Sequence, residues 1–581
     1  MNPHSLIAGL SNGMKRVLQP LKTHKSMRRS LIASLLIVTM ALTIGISYNI
    51  GKKTVEGNEE AVPRLPTVAT YAPLPASPLY TYAQSLTQTA LNVGQGYQDS
   101  PCKNLGPNWL AAENAKVSTD VSMTQFRTSH TPWPEGSAFW LDKTSVGCGA
   151  TVGIHASLSP LFDGSLSKEP RVFEAIRIGW YSGAGGRIVW SSKPTKLKYL
   201  KTSPPRNANR TIQTTWPVTI SLSTADWAPG LYLFVSKLPS GRFESSAPLI
   251  IRAPLSNSSL ALVHSTLTWA AYNTFGGRSL YVGPGTTKTQ RSYERSRIVS
   301  MDRPLAGSGN ELLFRDALPL VQLAEKNNIS LDQFADTDIN TSPAILSHFS
   351  GVVWSGHPEY WTQTLFNAAI AARNNGINLA FFGANTAYWR ARLIPSPTGK
   401  DRQVVCYREA NQDPATVASQ ATLEFHNPII NESSALIDGS ITSAIGVFGG
   451  MKAVNIPTWL GVPKNSVLNG FSRYSEIASP TTGPQTPPGI HPLFAGKFTF
   501  AGDPALQEPR YKLNSVAQMD WWSAPSGAVI FSAGVNLWVC NLLSSCGMAT
   551  VDSSTKALME TITTNVLKTW SKKVDPATLL K

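Results

Sequence analysis

The chain has 581 residues, of which 42% are apolar and 15% are charged, and its formal net charge is +16. This length exceeds what one hydrophobic core usually organises, so we expect two or more domains, and the apolar content rules out global disorder. A net charge of this size is typical of proteins that bind nucleic acid or an anionic surface. Whether the charge indicates such a partner depends on where the basic residues lie along the chain.

Half of the excess charge belongs to a short N-terminal segment. Residues 1–53 contain eight Lys or Arg and no Asp or Glu, which leaves 43 basic and 35 acidic residues, a net charge of +8, for the other 528. This remainder is too dilute to indicate a nucleic-acid partner.

The eight cations flank residues 31–50, an uncharged run of twenty residues. A helix of that length spans about 30 Å, the thickness of a bilayer's hydrocarbon core. The sequence thus predicts a cytoplasmic basic segment at 1–30, a single transmembrane anchor at 31–50 and extracytoplasmic C-terminal domains at a cell membrane. A cleaved signal peptide is the alternative, and the long run without an A-x-A site favours the uncleaved anchor.

Two folded domains are predicted after a linker. Residues 54–115 begin with a Pro-rich stretch typical of an extended stalk. Residues 116–253 contain short apolar runs separated by Gly, Pro, Ser and Asn at intervals of about 8–12 residues, the spacing of a β-sandwich. Residues 254–575 then alternate strand-like and helix-like segments, which predicts an α/β domain with a mostly parallel sheet of the glutamine-amidotransferase-like type.

The elements predicted in this second domain are, in chain order, a strand at 260–268, a helix at 311–328, a strand at 329–334, a short helix at 343–349, strands at 351–355 and 377–383 around a helix at 361–375, and a closing strand and helix near the C-terminus. No internal repeat is visible.

Polar side chains follow three of the predicted strands. Tyr272 and Tyr281 come after the first, His357 and Glu359 after the strand GVVWS, and Asn385 after the strand INLAFFG. Ligands bind beyond the carboxyl ends of strands in an open parallel sheet, so these five side chains would share one rim if the strands are neighbours.

The candidate chemistry at this rim is a hard, oxygen-rich metal site. HExxH and paired HxH motifs are absent, as is the GxSxG elbow, and the turn Ser355-Gly356-His357 has no cysteine where glutamine amidotransferases carry one. Phenolate and carboxylate oxygens suit a trivalent ion such as Fe(III). The alternative is that these tyrosines only pack and hydrogen-bond the loops.

Five cysteines are compatible with an exported domain carrying one or two disulfides. Cys540 and Cys546 are close enough in sequence to pair, Cys102 with Cys148 is possible, and Cys406 would remain a buried thiol. None has the spacing of a zinc site.

Several motifs now occur together and in order. They are RIGWYSGAGGR (177–187), TWAAYNTFGGRSLY (268–281), SMDRP (300–304), SGHPEYW (355–361), NLAFFGANTAYWRARL (378–393) and VCYREANQDP (405–414). Over about residues 120–550 the chain resembles the family of the N,N-dimethylformamidase large (beta) subunit and its C-terminal-domain relatives.

The resemblance implies hydrolysis of a small amide at a mononuclear ferric ion. By its motifs the metal ligands would be Tyr272, Tyr281 and Glu359, with His357 as candidate general base and Asn385 as donor to the developing oxyanion. Glu476 is a poorly aligned further candidate. Other roles stay open: His357 and Asn385 as loop-stabilising groups, Glu359 as an ion-pair partner of Arg390 or Arg392, and Arg303 as a structural ion-pair residue.

Two functions follow as hypotheses. The first is a membrane-anchored, extracytoplasmic iron-dependent hydrolase of an amide-type C–N bond, with a small amide or envelope-derived substrate. The second is a non-catalytic envelope protein whose sandwich binds glycan or protein on an inactive α/β scaffold. A homo-oligomer is compatible with either, and no nucleic-acid partner is expected. The anchor and the loop after Tyr281 differ from the formamidase, so the substrate need not be shared.

Overall fold

The computed structural model describes residues 74–89, 105–118, 136–159, 169–202, 207–255, 258–448, 450–470, 475–499, 516–543 and 551–581. The predicted basic segment and anchor, residues 1–30 and 31–50, lie outside these ranges. Within the ranges, no helix combines the length and the hydrophobicity needed to cross a bilayer.

Two β-sheets face each other in the N-terminal half of the described chain. Their strands are β1 (Ser137–Leu141), β2 (Ser145–Gly147), β3 (Thr151–Leu158), β4 (Val172–Ile178), β5 (Gly186–Ser191), β6 (Ile220–Ser223), β7 (Gly230–Lys237) and β8 (Phe243–Arg252). One sheet has the order β1–β3–β6 and the other β2–β8–β7–β4–β5. Their shared core includes Phe139 and Phe173, whose ring centroids lie 5.4 Å apart.

The C-terminal half is built on one large sheet and one small sheet. Their strands are β9 (Leu260–His264), β10 (Ile298–Ser300), β11 (Asp332–Ala335), β12 (Gly351–Gly356), β13 (Tyr360–Thr362), β14 (Asn378–Gly383), β15 (Trp389–Ser396), β16 (Gly399–Val405), β17 (Ser440–Phe448), β18 (Gly450–Ala453), β19 (Val467–Asn469), β20 (Ser475–Pro480), β21 (His491–Thr499), β22 (Val516–Ser523) and β23 (Val529–Ser532). The small sheet has the order β10–β16–β15–β13.

The large sheet runs β11–β9–β12–β14–β23–β22–β21–β17–β20, with β18 paired to β21 and β19 paired to β18. The pairs from β11 to β23 are parallel, and the pairs from β23 to β20 are antiparallel. The predicted mostly parallel, glutamine-amidotransferase-like fold is therefore wrong. Adjacent antiparallel strands need no helix between them, so the strand–helix alternation that indicated a parallel sheet stops after β14.

The helices are α1 (Tyr82–Ser85), α2 (Trp109–Asn114), α3 (Thr266–Tyr272), α4 (Lys288–Tyr293), α5 (Ser308–Asp316), α6 (Leu318–Lys326), α7 (Asp336–Thr341), α8 (Gln363–Asn374), α9 (Ala435–Asp438) and α10 (Ser553–Trp570). The single helix predicted at 311–328 is two helices, α5 and α6, interrupted at Ala317. The predicted strand at 260–268 ends at His264, and helix α3 takes its last residues.

The two halves share a hydrophobic core and a buried ion pair. Ile176 and Leu233 of the sandwich belong to the same apolar cluster as Leu320 of α6. Arg177 donates through Nη2 to Glu325 Oε1 at 2.7 Å, and both side chains are almost fully buried. Removing one partner of such a pair leaves an uncompensated buried charge, so substitution of either residue would destabilise this interface.

Helix α2, from the predicted stalk, is held on this interface by Glu113, which is 3% exposed. Arg187 Nη2 donates to Glu113 Oε1 at 2.6 Å, and the Tyr181 hydroxyl donates to the same oxygen at 2.8 Å. Burial raises the pKa of Glu113, but the hydrogen bond from Lys116, the charge of Arg177 and these two donors outweigh it and lower the pKa to about 2.

Replacing Glu113 by glutamine is expected to lower the free energy of unfolding at pH 7 by up to about 3 kcal/mol. A carboxyl with a depressed folded-state pKa stabilises the protein above its unfolded pKa of about 4.3, and this contribution is lost as the pH falls toward 2. Urea unfolding at several pH values should show the two proteins converging in acid. A constant difference would contradict the ionic role. Glu560→Gln, which removes a surface pair with Lys326, is the control.

The cysteines divide into bridged and free. Cys148 and Cys540 each take part in a disulfide bond. Cys406 is a free, buried thiol, which confirms its prediction. Cys102 and Cys546 lie outside the described residues, so the predicted pairings stay predictions.

Candidate active site

Strands β9, β12 and β14 are parallel neighbours, which is the arrangement that the rim prediction required. Gly356 ends β12 and pairs with Gly383 at the end of β14. A Cβ atom on Gly383 would lie 1.8 Å from the Gly356 carbonyl oxygen. The two strand ends approach this closely because residue 383 is glycine, and the loops that carry His357 and Asn385 start side by side.

Helix α3 brings Tyr272 to the same place and fixes the neighbouring loop. The Thr268 hydroxyl oxygen accepts the backbone N–H groups of Glu359 and Tyr360, each at 3.2 Å. After α3 the chain turns back, and Leu280 N–H donates to the Ala271 carbonyl at 2.9 Å. This return places Tyr281 against Tyr272.

Tyr272, Tyr281 and Glu359 form the oxygen-rich part of the cluster. The two phenol rings have centroids 4.4 Å apart, and the Tyr281 hydroxyl donates to Glu359 Oε1. Glu359 is 2% exposed, whereas both tyrosines keep a partly exposed face. Within the described part of the chain, Glu359 Oε2 has no hydrogen-bond partner.

A second group of polar side chains adjoins these oxygens. His357 Nε2 contacts Glu476 Oε2 directly and lies 3.4 Å from Glu359 Oε2. Asn385 Nδ2 donates to Glu476 Oε2 at 3.0 Å and is also 3.0 Å from His357 Nε2. Thr442 Oγ1 donates to Asn385 Oδ1 at 2.9 Å, which fixes the orientation of the amide.

Glu476 reaches this cluster from the antiparallel part of the sheet. The segment after β23, the neighbour of β14, pairs with β20 through an Ile477–Val535 bridge. The backbone N–H of Glu476 also donates to Asn536 Oδ1 at 3.1 Å. The sequence indicates Glu476 as a further acidic candidate but assigns it no role, because strand β20, which positions it, is not predicted from the sequence.

Arg408 closes one side of the cluster. Its Cζ atom lies 3.8 Å from the Tyr281 ring centroid and 4.6 Å from that of Trp389. Its Nη2 donates to the Tyr360 hydroxyl. The motif VCYREANQDP contains this arginine, but nothing in that motif marks it as a residue that stacks on a distant tyrosine.

Burial and neighbouring charges set the acidities of the cluster. Desolvation and then the charge of Glu359 hold the pKa of Tyr272 and of Tyr281 well above their usual value. Burial also raises the pKa of Glu359. Burial lowers the pKa of His357, but the charges of Glu476 and Glu359 outweigh it and raise the value.

The residues present fit a hard cation. Two phenol oxygens and a carboxylate with a buried, unpaired oxygen converge, and ionising all three without a positive charge is opposed by the raised pKa values. Among the described residues, no cluster of three or more His, Cys, Asp or Glu side chains could hold a metal. The predicted ligand set, Tyr272, Tyr281 and Glu359, differs from such clusters because two of its three members are tyrosines.

The alternative ion-pair role of Glu359 finds no support in the contacts. Arg390 donates to Gln363 Oε1 at 2.9 Å and to backbone carbonyls, and Arg392 pairs with Asp413 at 2.8 Å. Arg303 donates only to backbone carbonyls within the described residues, so its predicted ion pair is absent there.

Most of the chain matches a known protein family. No curated protein matches the chain. The family model described as "N,N-dimethylformamidase beta subunit-like, C-terminal" matches residues 172–550, which is more than half of the 581 residues. That range contains every residue of the cluster. The chain therefore belongs to the N,N-dimethylformamidase beta subunit-like family, as the motifs indicated.

Proposed function

We propose that the protein is a hydrolase of an amide-type C–N bond and that Tyr272, Tyr281 and Glu359 hold a ferric ion at its active site. The observation that carries the proposal is the convergence of these three side chains with His357, Asn385 and Glu476 in one partly open cluster. Residues far apart in the chain supply an oxygen-rich metal site and an adjoining proton-carrying pair, which are the two parts that metal-assisted hydrolysis needs.

A bound ferric ion would supply Lewis acidity, which polarises an amide carbonyl and makes water more acidic. The protein's own contribution is proton handling. His357 Nε2 and Glu476 Oε2 are in direct contact, and this pair is the candidate to take a proton from the attacking water and return it to the leaving amine nitrogen.

Asn385 keeps that pair in place. One N–H of its Nδ2 donates to Glu476, and its Oδ1 accepts from Thr442. These two bonds fix the amide plane, so the second N–H points in a defined direction beside His357. A positioned amide N–H of this kind stabilises a developing oxyanion. Asn385 thus both orients Glu476 and offers a donor to the substrate oxygen.

The surroundings favour a small, uncharged substrate. Tyr281, Tyr360 and Trp389 form an aromatic wall with Arg408 stacked against it, and Tyr281 lies 6.2 Å from Tyr360 between ring centroids. Aromatic walls accept alkyl groups on the amide nitrogen. N,N-dimethylformamide is therefore the first probe, and other short linear amides test which substituents the site accepts.

The test uses the purified full-length chain, with iron supplied during expression. We expect close to one iron per chain, a visible phenolate-to-iron absorption band and hydrolysis of the probe. Removal of the iron by chelation should abolish both the band and the hydrolysis, and Fe(III) should restore them. A protein that holds no iron under these conditions, or hydrolyses equally well without it, would refute the proposal and favour the non-catalytic envelope-binding alternative.

We further propose that the protein is tethered to a membrane through its first 53 residues, with the folded part outside the cytoplasm. The support is the uncharged run at 31–50 between basic flanks. Deleting residues 1–53 should shift the protein from the membrane fraction to the soluble fraction after cell lysis. Persistent membrane association of the deleted form would contradict this.

A further inference from the structure

A cavity lies where the sandwich meets the C-terminal half, on the side of α3 away from the cluster described above. It encloses about 70 Å³, several times the ~10–15 Å³ that one water molecule needs. It therefore has room for a molecule of roughly five non-hydrogen atoms. Its walls come from β1, β8, α3, β10 and β16, and Lys143, whose side chain is 44% exposed, lies on its rim toward solvent.

The lining is apolar and cationic but contains no carboxylate. Eight of its residues are apolar, among them Trp140, Trp269 and Leu305, and three carry positive charge: Lys143, Arg303 and Arg402. Arg402 is neutralised by Asp302, to which its Nε donates at 2.8 Å. The charge balance inside the cavity is thus left positive by Arg303.

Arg303 is 2% exposed and is bonded entirely by neutral groups in the described part of the chain. Its Nε donates to the Ser300 carbonyl at 3.2 Å, its Nη1 to the carbonyls of Phe275 and Arg278, and its Nη2 to that of Asn273 at 2.9 Å. A guanidinium has five N–H donors, so one remains on Nη2. Burial without an anion lowers the pKa of Arg303 to about 9.

Two more donors in the lining are without a partner among the described residues. They are the Trp140 indole N–H and the Thr266 hydroxyl, and the two side chains are 2% and 4% exposed. A buried polar group without a hydrogen bond costs about 1–3 kcal/mol. A ligand with a negative charge and hydrogen-bond acceptors would pair with both donors and compensate the cation.

We propose that this cavity binds a small aliphatic carboxylate. The anion would compensate Arg303 and accept hydrogen bonds from Trp140 and Thr266, and its short alkyl group would lie against Trp269 and Leu305. The apolar walls disfavour inorganic phosphate. The lining has no carboxylate, and its one side-chain amide oxygen, Oδ1 of Asn273, already accepts the backbone N–H groups of Phe275 and Ala306, which favours the carboxylate over the corresponding amide. The proposal does not depend on the reaction at the other cluster.

The test is calorimetric titration of the full-length chain with sodium propionate, propionamide and inorganic phosphate at matched ionic strength. We expect propionate to bind and to raise the thermal unfolding midpoint, with neither effect from the other two. Thr266→Val removes one donor with almost no change of shape, and Trp140→Phe removes the other together with part of the ring; each should weaken propionate at least about tenfold. Trp216→Phe is the control, because Trp216 also has a buried, unpartnered indole N–H but does not line the cavity.

Each other outcome overturns the proposal. Absence of propionate binding would leave the cavity to water, and equal binding of propionamide would remove the role of Arg303. Tighter binding of phosphate than of propionate would show that the cavity prefers an inorganic anion to an aliphatic carboxylate. Propionate binding that is unchanged in both lining variants, or weakened as much in Trp216→Phe, would place the ligand elsewhere.

Discussion

Replacing Tyr281 by phenylalanine is expected to eliminate most of the phenolate-to-iron absorption and to lower both the iron content and the hydrolytic rate, the latter by at least about 100-fold, since losing a partner outside the ligand shell already costs 10–100-fold. The substitution deletes one oxygen and preserves the ring. Phenylalanine would keep the contact with Tyr272 and the stacking under Arg408. The loss would therefore report on the phenolate and not on packing.

Tyr360→Phe is the matched control for this experiment. Tyr360 lies beside Tyr281 and its hydroxyl accepts from Arg408, but it is not in the predicted ligand set. It should keep the iron and the visible band. An unchanged band in Tyr281→Phe, or equal loss in both variants, would show that Tyr281 is not a ligand.

The site was more predictable from sequence than the fold was. Tyr272, Tyr281, His357, Glu359 and Asn385 follow strands that are short, apolar and flanked by helices, and the structure gathers all five. The strongest local signals in this sequence therefore lie directly beside the residues of the candidate site. The position of each of these five residues just after a predicted strand was enough to group them.

What the sequence concealed lies in the antiparallel half of the large sheet. In the described residues no α-helix lies between strands β17 and β22, and the burial of these strands depends on neighbours far along the chain, so no local period identified them. Glu476 and Arg408 were missed as partners for the same reason. Each reaches the cluster through a long-range contact, the Ile477–Val535 bridge for Glu476 and the stacking on Tyr281 for Arg408.

Glu476 is the residue whose replacement best separates proton transfer from metal binding. Glu476→Gln is expected to keep the iron and the absorption band, because Glu476 contacts His357 and Asn385 but none of the three proposed ligands. The amide of glutamine still accepts a hydrogen bond from His357 Nε2 but does not take up its proton. The rate of amide hydrolysis should fall about 100- to 10,000-fold, the range of general acid–base catalysis.

Iron content, the visible spectrum and the hydrolytic rate should be measured on the same preparation of this variant. Glu432→Gln is its control, since Glu432 accepts from Gln363 Nε2 at 2.9 Å outside the cluster. Loss of iron in Glu476→Gln would assign Glu476 to metal binding, and an unchanged rate would remove it from the reaction. Loss of rate with the iron retained would support proton transfer through the pair formed by His357 and Glu476, because the metal would then be in place while the carboxylate that contacts His357 would be gone.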